Sequence, residues 1–334
     1  MARHLFGDFD HQAVVGAFRP DPETMRVEEP QFGLPLQTTY LYGFFSDDHG
    51  QIYGIERKFV GALTSGCFVL REDYESGELG LSAATRRSAR GELRRVLDGP
   101  ERVWSDPVFS RLPAGIGHED EQPMELRWRQ DSVSYSEGDI LTLAGPSAGL
   151  GIQVFSASRA NPMLYTIICH WVTGTILGRP VSGPLWMDNA YWVHGRDYKD
   201  DVYWKSVEVS WQIFCNRFTD GSLEWGHFVT GRGGFTTGAV VNGDELVVST
   251  SALRTKYALD DAGWPTSVTY DVGDLQYEFS GPVNQRMTQF SAARGPEYRA
   301  QTGQTRRVDD SRVVADSHTW LESFADRITA EGLA

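Results

Sequence analysis

Val202-Tyr-Trp-Lys-Ser-Val-Glu-Val-Ser-Trp-Gln-Ile-Phe-Cys-Asn-Arg-Phe-Thr-Asp-Gly-Ser-Leu-Glu-Trp-Gly-His-Phe-Val229 is the stretch that decides the fold class. Tyr203, Val207, Val209, Trp211, Ile213 and Cys215 fall on one side of the first half, with Lys205 the exception. Ser206, Glu208, Ser210, Gln212 and Asn216 fall on the other, with Phe214 the exception. Strand side chains alternate with a period of two, so this run predicts a half-buried strand and not a helix. Thr219-Asp-Gly-Ser222 supplies the turn, and Leu223, Trp225, His227 and Val229 alternate on the return. The polar set Glu208, Gln212 and Asn216 fits either the lining of a barrel or an exposed sheet face.

The same pattern extends in both directions. Thr38-Thr-Tyr-Leu-Tyr-Gly-Phe-Phe45, an Asp47-Asp-His-Gly50 turn and Gln51 to Val60 read as a hairpin, followed by a short strand over Gly66–Arg71. Further strand signals lie at Glu125–Arg129, Ser132–Ser136 and Ile140–Leu143, then at Glu245–Ser251, Thr266–Asp271 and Leu275–Ser280. The Gly-rich run 144–151 lacks the Lys-Ser/Thr ending of a phosphate loop and reads as a plain loop. Ser317 is placed to cap a terminal helix in which Trp320, Leu321, Phe324 and Ile328 share a side, stopping at Gly332. Two blocks of meandering strands result, and they predict an all-β protein of two antiparallel barrels or sandwiches with a short C-terminal helix. The domains expected are 1–165, with a leader and an Arg-rich insert, and 166–334.

Charge narrows the partners. With 31 basic and 45 acidic residues the net charge is −14, which repels a nucleic-acid backbone or an anionic membrane surface. The basic stretch 83–98, with Arg86, Arg87, Arg90, Arg94 and Arg95, reads as a solvated, partly helical insert. No run approaches the ~20 apolar residues of a membrane helix, and the N-terminus has no secretory h-region. Cys67, Cys169 and Cys215 are widely spaced and read as reduced thiols of a cytoplasmic protein. The 8 histidines form no HxH or HxxxH pair, so no metal is expected, nor any cofactor. A homodimer is an open expectation.

The chemistry concentrates after Val172-Thr-Gly-Thr-Ile-Leu-Gly-Arg-Pro-Val-Ser-Gly-Pro-Leu-Trp-Met-Asp188. A strand over Trp171–Ile176 leads into a turn near Gly178 and Pro180, and then Trp186, Asp188, Tyr191, Trp192 and His194 follow closely. A carboxyl buried among aromatic rings has a raised pKa and stays protonated, which suits it to protonating a C=C bond. Aromatic faces stabilise the carbocation so formed. Asp188 is therefore the expected acid, with His194 to relay a proton and Tyr191 to orient. Trp186, Trp192, Tyr203, Trp211 and His170 are the expected substrate-binding residues. In the plainer reading Asp188 caps a turn and the aromatics are core.

Thr173 to Asp188 resembles the Trp-Met-Asp motif stretch of the AttH-like, lipocalin-like family, which includes the carotenoid 1,2-hydratases (hydroxyneurosporene synthases). Kievitone-type hydratases and lipocalin-like Diels–Alder cyclases are its relatives. Asp188 and Trp186 match the motif residues, whereas Asn189 replaces the His that often follows, and Tyr191-Trp192-Val193 replaces a Trp-Gly. The resemblance implies two lipocalin-like β domains in tandem with a ligand site near their junction. It implies a cofactor-independent lyase, a hydratase or dehydratase, acting on a hydrophobic isoprenoid, steroid-like or polyketide substrate of secondary metabolism. A cyclase or isomerase, or a non-catalytic carrier of an apolar ligand, are the alternatives.

Overall fold

The computed structural model describes residues 13–22, 29–60, 63–72, 77–82, 91–92, 94–99, 101–106, 124–157, 161–193 and 207–334. These residues form two antiparallel sheets of 14 and 9 strands. The first sheet centres on Leu36–Ser46, Arg179–Trp192 and Met163–Ile176, with Ile52–Val60 and Leu63–Glu72 on one side and Leu141–Pro146, Ser132–Glu137, Met124–Trp128 and Glu101–Asp106 on the other. The second centres on Glu208–Phe218, with Leu223–Gly231 and Thr236–Asn242 on one side and Val314–Phe324, Tyr298–Arg307 and Leu275–Ser280 on the other. The all-β tandem architecture expected from the alternating pattern is the one observed.

Each sheet curls over its own core. In the first, Phe59 and Trp104 come from strands far apart in sheet order, yet their rings meet edge to face at 5.3 Å. In the second, Phe228 and Tyr270 are likewise remote in sheet order and their rings lie 4.7 Å apart. The outer faces of the two curled sheets then pack together. Phe44, Ile167, Cys169, Trp171 and Trp186 of the first share one buried cluster with Ile213, Cys215, Trp225, Val241 and Trp320 of the second. Alternation does the sorting: on Arg179–Trp192, Leu185 and Met187 point into the first sheet's core, and Trp186 points to the layer between the sheets.

Several boundaries differ from the expectation. Position 165/166 falls inside the strand Met163–Ile176, and the chain changes sheet only between Trp192 and Glu208. The reason is the long hairpin Met163–Ile176/Arg179–Trp192, which pairs over its whole length and docks on Leu36–Ser46. Its turn is Leu177-Gly178, at positive φ, and Pro180 already belongs to the return strand. The terminal helix is Ala325–Ala330. Trp320 and Leu321 belong instead to the strand Val314–Phe324, because Glu208–Phe218 and Tyr298–Arg307 flank and pair with it on both sides. In the basic stretch, Arg94–Asp98 is a strand against Glu101–Asp106, and 83–90 lies outside the described residues. Among the described residues no helix is long and apolar enough to cross a membrane.

Candidate active site

The packing between the sheets is incomplete at one end. A cavity of about 510 Å³ opens there, walled on one side by Tyr40, Tyr42, Tyr165, Asp188, Ala190 and Trp192 and on the other by Trp211, His227, Val229, Trp320 and Phe324. Glu56, Lys58, Glu208, Arg294 and Glu322, with the hydroxyl of Tyr298, add a polar and charged margin. Mainly apolar walls with a few convergent polar groups are what small-molecule sites have in common.

Asp188 is 2% exposed. Its Oδ1 and Oδ2 accept from the Tyr42 hydroxyl at 3.0 and 2.9 Å, and Oδ2 also accepts from the Tyr165 hydroxyl. The three residues meet because Leu36–Ser46 and Met163–Ile176 flank Arg179–Trp192, with Asp188 directly opposite Tyr40 and Ile167 and one diagonal step from Tyr42 and Tyr165. Burial pushes the Asp188 carboxyl up to about 8, against the lowering effect of the two tyrosine hydrogen bonds and with a small upward push from Glu322. Burial and the neighbouring Asp188 raise both tyrosine hydroxyls. At neutral pH the group is a protonated acid whose conjugate base already has two donors in place.

Aromatic rings surround this acid. Tyr42 contacts Trp186, Trp211 and Trp320 at centroid distances of 5.6, 5.7 and 5.4 Å. His227, 2% exposed, lies between Trp211 at 5.2 Å and Tyr165 at 5.8 Å. Burial lowers its imidazole to about 3, so it is neutral at physiological pH. At the margin Arg294 pairs with Glu56 at 3.0 Å and approaches Glu322 at 3.8 Å, while Trp320 donates its Nε1–H to Glu322 at 2.9 Å. Burial raises the Glu56 carboxyl and Arg294 opposes this.

The expected site residues divide. Asp188, Trp192 and Trp211 line the cavity. Trp186 is fully buried just beyond the cavity wall, against Tyr42. Tyr191 is on the opposite face of its strand and packs with Leu34 and Leu164, so it cannot orient the acid. His170 is buried on the face opposite Tyr165 and Cys169, away from the cavity, and burial lowers it to about 4. His194 and Tyr203 lie outside the described residues. Asn189, at the position where the resembled motif often has His, also faces away and accepts from Thr39 at 2.7 Å. Gln212 and Asn216 turn into the second sheet's core, bonded to Tyr270 and Thr305. Glu208 lines the cavity instead, because a bulge between Glu208 and Ser210 shifts the alternation. Among the described residues no three His, Cys, Asp or Glu side chains are grouped to hold a metal.

Sequence reasoning missed Tyr42, Tyr165 and Arg294. The alternation of Tyr40 and Tyr42 on one face was legible; their pairing with Arg179–Trp192 was not.

No family model and no curated protein matches the sequence. Among solved structures the chain is similar to a Nitrosomonas europaea protein provisionally described as an AttH, at 12% identity over 90% of this chain and 96% of that one, with a TM-score of 0.45. It is also similar to kievitone hydratase from Nectria haematococca, at 8% identity over 92% and 93%, with a TM-score of 0.46. These are likenesses of chain path alone.

Proposed function

We propose that the chain is a cofactor-independent hydro-lyase that adds water to, or removes it from, a hydrophobic substrate of isoprenoid, steroid-like or polyketide type, with Asp188 as the acid. The observation that carries this reading is a carboxyl held protonated by burial, facing an aromatic cavity, with two tyrosine hydroxyls on its oxygens. In the hydration direction Asp188 gives its proton to one carbon of a C=C bond. The other carbon becomes a cation, which the faces of Trp211, Trp320 and Tyr42 stabilise. Tyr42 and Tyr165 donate to the carboxylate that remains and so lower the cost of forming it in the transition state. Water then adds to the cation, and the proton that the resulting oxonium sheds returns to the Asp188 carboxylate. In the reverse direction Asp188 protonates a hydroxyl, water leaves, and the carboxylate takes a proton from the adjacent carbon.

The test is incubation in D2O with a panel of apolar polyenes and their alcohols, read by mass spectrometry, for the wild type and for Asp188→Asn with its fold checked by circular dichroism. The hydro-lyase reading expects either water gained with solvent deuterium at the neighbouring carbon, or water lost together with a hydrogen from that carbon, and a 10²–10⁴-fold drop in Asp188→Asn, the range of general acid catalysis. Undiminished turnover in Asp188→Asn overturns the acid role. A product isomeric with its substrate and free of deuterium would make the protein a cyclase or isomerase, and ligand recovered unchanged would make it a carrier.

A further inference from the structure

Among the described residues of the cavity wall, His227 is the titratable side chain to which the protein offers no polar partner: neither ring nitrogen meets a donor or an acceptor. Its strand neighbours are Ile213 and Ala239, and its ring contacts are Trp211 and Tyr165. An apolar ring would fill this place without the cost of two desolvated nitrogens, so the imidazole has no structural justification within the fold. A neutral imidazole carries one N–H donor and one bare acceptor nitrogen, and a hydroxyl carries the complementary pair.

We propose that His227 is the hydroxyl subsite of the cavity, which binds the OH group of an apolar alcohol, the group gained or lost as water. The proposal rests on the hydro-lyase reading of Asp188. Because burial lowers the imidazole to about 3, it presents the same donor and acceptor throughout the physiological range. During hydration the water oxygen forms its bond to the carbocation, and the resulting oxonium loses a proton to the bare ring nitrogen. An oxonium is a far stronger acid than an imidazolium, so a weakly basic ring suffices. The imidazolium then yields that proton to the Asp188 carboxylate, which restores both groups. Tyr165 spans the two, with its ring beside His227 and its hydroxyl on Asp188.

The test uses geraniol and geranyl methyl ether as probes. The alcohol donates and accepts, whereas the ether only accepts. Isothermal titration calorimetry on the folded full chain should show the wild type preferring the alcohol by up to about tenfold, the range of one hydrogen bond. His227→Phe should abolish that preference, His227→Gln should retain part of it, and Asp188→Asn should keep it. In the wild type, the bare His227 ring nitrogen should shift in ¹⁵N spectra on adding geraniol, a readout that needs no variant. Absence of binding, absence of a preference, or an unmoved nitrogen resonance overturns the proposal. A preference kept in His227→Phe but lost in Asp188→Asn places the hydroxyl on Asp188, which overturns the His227 subsite while leaving the acid role intact. Loss of turnover in neither variant, with the alcohol preference following His227, would overturn the hydro-lyase reading instead.

Discussion

The layer between the sheets has two ends built from the same strands. At the closed end Phe44, Ile167, Cys169, Trp186, Ile213, Cys215 and Trp225 interlock with no charged group among them. At the open end the same faces of the same strands carry Tyr42, Tyr165, Asp188, Trp211 and His227 around a cavity. A step of two residues along a strand separates Trp186 from Asp188 and Trp225 from His227. The closed end holds the two curled sheets in place. The open end can therefore bury a carboxyl and an imidazole whose desolvation is offset elsewhere in the layer.

The most severe way to break this comparison is at the closed end. Trp225→Ala should lower unfolding free energy by about 3–5 kcal/mol, the usual cost of truncating a buried Trp. Chemical denaturation measures it, and binding of geraniol to the folded fraction should be unchanged. Impaired binding there would mean that the two ends are one unit.

The pH dependence of stability probes both ends together. His227 at the open end, His318 at the closed end and His170 in the first core are held near 3, 4 and 4 by burial. Their folded values lie below the unfolded value of about 6.5, so the stability they contribute is present above that pH and is lost as pH falls toward 4. Asp188 works in the opposite sense. Its folded value of about 8 lies above the unfolded one, so its contribution is present at low pH and lost as pH rises through 8. Stability should peak near pH 6.5 in thermal melts, and Asp188→Asn should flatten the alkaline limb and steepen the acid one, because the Asp188 contribution is lost across the whole range from about 4 to about 8. An unchanged alkaline limb in that variant would contradict the burial assigned to Asp188.

The smallest effect sharpens the open end. Tyr165→Phe removes one donor from the Asp188 carboxylate and raises the acid further. Turnover should fall about tenfold, and the alkaline limb of the rate profile should move up by about one pH unit, the equivalent of a hydrogen bond worth about 1.4 kcal/mol. A limb that stays in place would show that this tyrosine does not tune the acid.

Alternation made much of this legible in advance. The run from Glu208 to Val229 is the hairpin that its period of two predicts, and Asp188 shares a strand face with Trp186 and Trp192. The same rule, applied to Tyr191, would have turned it away from the cavity; proximity in sequence was the wrong guide. For Trp320 and Leu321 the spacing suited a helix, but pairing with strands on both sides outweighed that local preference.

The sequence by itself determined the all-β class and the Glu208–Val229 hairpin, and it singled out the carboxylic acid of Asp188, because period-two patterning and turn chemistry are local. Only the tertiary structure decided what surrounds that acid. Tyr42 reaches Asp188 from 146 positions away, and His227 comes from the other sheet. Register between remote strands and one bulge set those meetings, and a linear pattern does not encode which strands will be neighbours.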